Sequence, residues 1–251
     1  MACAALVQRG DPDRFVAAMA APIAARRVLF PLYAMNVEVA RAPWVTQEAM
    51  IAEMRLQWWR DALAEIAAGG VVRRHEVVTP LSEALSPELA ALADEMIAVR
   101  RWDIYRDPFQ DSAHFERYID QTSGTLMWLA VRTLGAAEER VVRDFSFASG
   151  LANWFRAIPE LEANRRVPLL DGTADGVRAL AKQGLARLTN ARKRRSDISN
   201  EASAALLAGW QAESILKQAA AHPEYVANGT LGTSEARKRL GLMLRSATGR
   251  W

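Results

Sequence analysis

Cysteine is almost missing from this 251-residue sequence: Cys3 is the only one, placed where a frayed N-terminal segment is expected. A lone cysteine excludes an internal disulfide framework and any Cys-based zinc cluster, and it suits a reducing compartment. Histidine is nearly as scarce. His75, His114 and His222 lie in separate segments and form no i, i+4 pair, so no helical metal site is expected. No run of about 18 apolar residues occurs, so no segment is expected to span a membrane. The apolar stretch Ala4 to Val7 is too short for a signal-peptide core, and Asp11 and Asp13 argue against an organellar transit peptide. The Gly-x-Ser-x-Gly, Gly-x-Gly-x-x-Gly and P-loop patterns are absent as well. A net charge of +3 is too small for this length to imply a nucleic-acid partner. These absences describe a cytoplasmic protein, with peripheral contact at the inner membrane left open.

What is present is an ordinary globular composition, 51% hydrophobic and 24% charged, with enough apolar residues for a large core. Periodicity is helical almost throughout, and alternating β-branched runs around Asn-Gly are missing; Asn228-Gly229 reads as a loop between helices. The pattern predicts helices near 12–28, 31–42, 46–67, 87–104, 111–134, 137–162, 173–195, 200–221 and 233–247. Gly69-Gly70 stops one of them, Ser86-Pro87-Glu88 starts another, and Gly135 ends a third. With no Pro/Gly/Ser-rich linker and no fixed-period repeat, a single all-α domain over 1–251 is expected. Segments 31–42 and 137–162 are apolar on more than one face, which predicts helices surrounded by neighbours.

Taken singly, the polar motifs read as ordinary helix surfaces. Trp58 and Trp59 suit a core or cavity wall, and Arg192-Lys193-Arg194-Arg195 suits the cationic end of a helix. Their order is more informative. Phe30-Pro31-Leu32-Tyr33-Ala34-Met35-Asn36 is followed by Arg55-Leu56-Gln57-Trp58-Trp59-Arg60, then by Gly69-Gly70 and His75-Glu76-Val77-Val78. Next come Tyr118-Ile119-Asp120-Gln121-Thr122-Ser123-Gly124-Thr125, Asn153-Trp154-Phe155-Arg156 and Arg165-Arg166-Val167-Pro168-Leu169. This series resembles the squalene/phytoene synthase family, most strongly over 12–220.

The resemblance implies an isoprenoid-synthase-type helical bundle around a central apolar cavity, with two Asp-rich motifs facing each other at its mouth. There, clustered carboxylates hold Mg²⁺ against a departing prenyl diphosphate. This sequence departs from both motifs. At the positions where the first motif carries acids stand Ala40, Arg41 and Trp44, and at those of the second stand Ala157 and Leu161. Loss of the family's Mg²⁺ is therefore expected, with no cofactor and no catalytic set. The surviving pattern is similar to a degenerate branch of the family that acts in assembly of mitochondrial respiratory complex I.

What the resemblance leaves as cavity or ligand-binding candidates are Tyr33, Asn36, Glu38, Arg41, Trp58, Thr122, Asn153, Arg156, Arg165 and Arg166. The polar ones either close a hydrogen-bond network across the mouth or let Arg41, Arg156, Arg165 and Arg166 receive a phosphate or carboxylate without metal. The expected role is assistance to assembly of NADH:ubiquinone oxidoreductase, the partners being its subunits or other assembly factors, together with an apolar or prenyl ligand. The alternative is a prenyl-diphosphate transferase with an atypical metal site built from Glu38, Glu160 and Glu162. The basic stretches Arg192 to Arg195 and Arg237-Lys238-Arg239 are the expected peripheral contacts with a membrane or an acidic partner.

Overall fold

The computed structural model describes residues 2–251. The chain begins with α1 (Ala2–Gly10), α2 (Pro12–Ala20), α3 (Ile23–Arg41) and α4 (Ala49–Ala67). It continues with α5 (Val78–Ala84), α6 (Pro87–Arg100), the short α7 (Trp102–Tyr105) and α8 (Ser112–Ile119). A π-turn at Asp120–Gly124 carries α8 into α9 (Thr125–Leu134), and α10 (Glu139–Ala163) and α11 (Ala174–Lys193) follow. The last part holds α12 (Asn200–Leu206), a 3₁₀ turn at Leu207–Gly209, α13 (Ala212–Ala221), α14 (Glu224–Ala227) and α15 (Glu235–Thr248). Among the described residues the β contact is one isolated bridge between Ala137 and Ile198. None of these helices is long and apolar enough to cross a membrane.

Local chemistry sets many of the boundaries. Asp11, Ser86, Asp111, Thr173 and Ser199 each accept a hydrogen bond from a backbone N–H of the first turn of α2, α6, α8, α11 and α12, satisfying a donor that the helix itself leaves open. Pro12 and Pro87 follow two of these caps, in the first turn where a missing N–H costs nothing.

Two helices organise the interior. α10 packs against α11, α13, α9 and the π-turn, while α3 packs against α1, α2, α5 and α9. Phe145, Phe147 and Phe155 of α10 and Leu29, Leu32 and Met35 of α3 are among the largest side chains wholly removed from solvent. Nearly all of the buried apolar residues join into one contiguous cluster. Segments 31–42 and 137–162 thus lie where their many-sided apolar pattern places them.

Several boundaries differ from the sequence pattern. The first predicted helix break falls at Ala21-Pro22: Ala21 is extended, as a residue before proline prefers, and ends α2. Pro31 then lies inside α3 rather than opening a helix. An interior proline costs about 3 kcal/mol, and here burial of the surrounding Leu29, Leu32 and Tyr33 outweighs it. The frayed start is instead α1, with Cys3 and Val7 buried. The Cys3 thiol faces the Glu76 carbonyl at 3.4 Å, and burial pushes its pKa up. The single helix predicted over 200–221 is broken at Leu207–Gly209, where the glycine lies against the Phe145 ring. α5 and α14 were not anticipated; both are too short to show a period.

Candidate functional site: a cavity between α3 and α10

A cavity of about 690 Å³ opens between α2, α3, α10 and the π-turn. That size lies within the roughly 300–1,000 Å³ usual for small-molecule sites. α3 contributes Asn36, Val37, Ala40 and Arg41, with Trp44 just beyond it; α10 contributes Ser149, Gly150, Asn153, Trp154, Arg156, Ala157, Glu160 and Leu161. The π-turn supplies Thr122 and Ser123. Such turns widen the helix by one residue and recur at functional sites. Its close approach to α10 depends on Gly150, where a Cβ would sit 2.7 Å from Ser123 Cβ and 2.9 Å from Ile119 Cγ2.

The mouth is strapped at two ends. At one, Arg14 pairs with Asp11 at 2.5 Å, and Arg156 reaches from α10 to Asp13 at 2.5 Å. At the other, Arg100 donates to Asp103 at 3.2 Å and to the Tyr118 hydroxyl at 3.0 Å, and that hydroxyl donates to Asp103 Oδ1 at 2.6 Å. Arg166 donates to the Asp103 carbonyl and lies over the Trp44 ring at 4.8 Å. Burial pulls the Arg166 guanidinium below its ordinary pKa against the pull of Asp103. Burial also opposes the charge on Arg100, but the Tyr118 oxygen and the Asp103 carboxylate outweigh it and hold its proton more firmly. Three buried polar atoms of lining residues have no protein partner: Asn36 Oδ1, Arg100 Nε and Arg166 Nε.

The squalene/phytoene synthase family model matches residues 7–170, the stretch that builds most of this cavity. The chain belongs to the squalene/phytoene synthase family. In structure it is similar to a dehydrosqualene synthase solved in complex with ligand, with a TM-score of 0.73 at 16% identity over 98% of this chain and 94% of that one. A squalene synthase from Alicyclobacillus acidocaldarius gives 0.70, also at 16% identity, over 92% and 94%. At that identity the likeness shows the fold, the isoprenoid-synthase helical fold. Curated relatives carry another name. The complex I assembly factor 6 homolog of Drosophila melanogaster is 26% identical over 177 residues, which is 67% of this chain and 53% of the relative. Complex I assembly factor 6 of Homo sapiens is 23% identical over 178 residues, 66% of this chain and 51% of the relative. The chain thus spans about half the length of these relatives.

Set against the family pattern, the five positions that carry acids in the synthases are Ala40, Arg41, Trp44, Ala157 and Leu161, and all five line the cavity. The acids that do line it are placed elsewhere. Asp11, Asp13 and Asp103 are each engaged by an arginine, and among the described residues Glu160 is in no ion pair. Among the described residues no three His, Cys, Asp or Glu side chains come together as a metal site. Three carboxylates each held by an arginine, with no cluster of three acids, do not fit Mg²⁺, which needs clustered oxygen ligands.

Of the residues singled out in the sequence, Asn36, Arg41, Thr122, Asn153, Arg156 and Arg166 meet at this cavity. Four do not. Tyr33 lies in the core behind it, beneath the Arg14 guanidinium at 5.7 Å, and burial raises its phenol well above the ordinary range. Glu38 is half-buried on α3 outside the lining. Trp58 lies on the solvent side of α4, 36% exposed, against His75 and under Arg73 at 4.9 Å; its neighbour Trp59 takes the buried position. One residue along a helix turns the side chain by about 100°, which is enough to separate the two rings. Arg165 is exposed in the turn after α10, with a left-handed φ of 60°. Of the three glutamates considered for an atypical metal site, Glu38 and Glu162 fall outside the cavity and only Glu160 lines it.

Sequence reasoning missed Asp11, Asp13, Arg14, Arg100 and Asp103 as cavity residues. The Arg100–Asp103 spacing of three was the available signal for that pair, since such residues share a helix face. Asp13 and Arg156 are 143 positions apart, and nothing local links them.

Proposed function

We propose that this chain is a non-catalytic member of its family, independent of Mg²⁺, that assists assembly of respiratory complex I. The observation that carries the reading is the cavity lining itself: each position where a synthase would present a metal-binding acid instead presents Ala40, Arg41, Trp44, Ala157 or Leu161. A cationic guanidinium in place of a carboxylate opposes a divalent ion. The names of the relatives from fly and human support the assembly role, and the partners are then subunits of the complex or other assembly factors.

Complex I resides in a membrane, so a cytoplasmic helper without a spanning helix meets it peripherally. The better contact surface is α15. Leu240, Met243 and Leu244 are exposed on it, while Leu242 faces the core. At 100° per residue these three form one stripe, bordered by Arg239 on one side and Arg237 on the other. An apolar stripe with a cationic border suits a membrane surface, where each charge contributes about 1 kcal/mol near anionic lipid. The stretch Arg192 to Arg195 is less available. Arg192 and Arg195 hold the Trp251 carbonyl at 3.0 and 2.6 Å, Arg192 also pairs with Glu213, and Arg194 pairs with Asp197.

The test is genetic. Deleting the gene is expected to lower assembled NADH:ubiquinone oxidoreductase, with squalene- and phytoene-derived lipids unchanged in an organism that makes them. Purified protein incubated with farnesyl diphosphate and Mg²⁺ is expected to consume none of it. Loss of an isoprenoid product with the respiratory complex at normal abundance would overturn the reading.

A further inference from the structure

We infer that the cavity holds an apolar chain ending in a single anionic head, a carboxylate or a phosphate monoester, gripped directly by Arg41 and Arg166 without a metal. The inference deepens the non-catalytic reading by naming a ligand class, and its test is a binding measurement independent of complex assembly.

Charge pairing selects the head. Five arginines line the cavity, and three of them are matched: Arg14 with Asp11, Arg156 with Asp13 and Arg100 with Asp103. Among the described residues Arg41 and Arg166 make no salt bridge. Arg166 is held in place by the Asp103 carbonyl and the Trp44 face, yet its Nε has no acceptor. Among the described residues no carboxylate at ion-pair distance offsets its charge, so an anion from outside the chain can.

Asn36 points to a ligand independently. It is 6% exposed and lines the cavity, and its Oδ1 meets no donor. An amide can turn either its oxygen or its NH₂ to a guest, so it suits a head that mixes hydroxyl and oxyanion, as a phosphate monoester does. The apolar side of the same space, formed by Val37, Ile119, Leu126, Trp154, Ala208 and Ala212, suits a hydrocarbon chain.

The count of free cations also sets an upper limit on the head. A phosphate monoester carries about −1.5 to −2 at neutral pH, which two guanidiniums can balance. A diphosphate carries more and would lack the metal that neutralises it in a carboxylate-lined site. Arginine forks hold oxyanions in bidentate fashion, so the replacement of an acid by Arg41 changes the cavity from metal-mediated to direct recognition.

The experiment is calorimetric titration of the full chain in EDTA with four probes: oleate, farnesyl monophosphate, farnesol and inorganic phosphate. Oleate or farnesyl monophosphate is expected to bind at least tenfold more tightly than farnesol and than inorganic phosphate, and added Mg²⁺ is expected to leave the affinity unchanged. Which of the two binds more tightly assigns the head as carboxylate or phosphate. Arg166→Gln and Arg41→Gln are each expected to weaken binding about tenfold to a hundredfold, the scale of a hydrogen bond to a charged group, and Arg165→Gln, outside the cavity, to change nothing. Arg166→Gln also loosens the Asp103 contact; Arg41, exposed on the rim, supplies the variant that leaves packing alone. Farnesol binding as well as farnesyl monophosphate, affinity that requires Mg²⁺, no binding by either anionic amphiphile, or Arg41→Gln at full affinity would each overturn the inference.

Discussion

The packed interior of α3 and α10 and the cavity mouth that the same two helices frame follow different rules. In the interior, Leu29, Leu32, Met35, Phe145, Phe147 and Phe155 are apolar and fully enclosed. Each fills volume that a different residue would leave empty or overfill. On the faces of the same helices that line the mouth, charged and polar side chains stand among the apolar ones, Arg41 and Asn153 are exposed, and polar atoms are left without partners. The difference explains how a synthase fold can survive the loss of the synthase acids. Carboxylates at a rim add nothing to the enclosed apolar volume, so a chain with Ala40, Arg41, Trp44, Ala157 and Leu161 at those positions keeps the bundle standing.

That contrast is most exposed to test at the adjacent tryptophans of α4. Trp59 is 5% exposed and Trp58 36%. Truncating a large buried aromatic removes transfer energy and leaves a cavity, at a cost of about 3–5 kcal/mol. Trp59→Ala is therefore expected to lose that much stability in urea denaturation, and Trp58→Ala no more than about 1 kcal/mol, chiefly its contact with Arg73. Equal losses would mean that exposure does not separate interior from surface here. Gly150 tests the boundary between the two regions. Its added methyl meets Ser123 Cβ and Ile119, atoms close to the backbone of the π-turn. Gly150→Ala is expected to cost about 1–3 kcal/mol, the scale of overpacking, measured by the same denaturation. A stability equal to wild type would show that the π-turn can slide and that the cavity wall is softer than the interior behind it.

Legibility in the sequence divides along the same line. α3 and α10 were recognisable because burial on several faces leaves a dense apolar pattern, and the altered acid positions were recognisable because the family motif fixes their spacing. Boundaries governed by one residue were not. Pro31 signals a helix start by its chemistry, and only the surrounding burial makes it an interior position. Trp58 and Trp59 are chemically identical, and choosing which one faces inward needs the helix phase to within one residue. The straps at the mouth were invisible for another reason: Asp13 with Arg156, and Asp103 with Arg166, are joined by the fold and by no local pattern. Asn36 was named from the family motif, but that its oxygen lies buried and unpartnered is a property of the assembled cavity.

The smallest expected effect belongs to the Arg156–Asp13 strap, and it is the sharpest statement of what the mouth is. The pair closes at 2.5 Å across the cavity, which by distance alone looks strong. Its side chains are nevertheless 33% and 29% exposed, so water and salt screen the attraction, and ordering two side chains offsets part of what is left. A double-mutant cycle with Arg156→Ala and Asp13→Ala is expected to return a coupling of no more than about 1 kcal/mol in 150 mM salt. Raising salt to about 1 M, where the screening length falls to about 3 Å, should reduce it further. A buried pair would behave otherwise, with removal of one partner costing about 3–5 kcal/mol. If the measured coupling reaches that range and ignores salt, the mouth is a structural brace like the core behind it, and the separation between fold-making interior and ligand-facing rim fails. If it is small and screened, Arg156 and Asp13 can part at little cost, and the opening they span can admit a guest without unfolding the bundle.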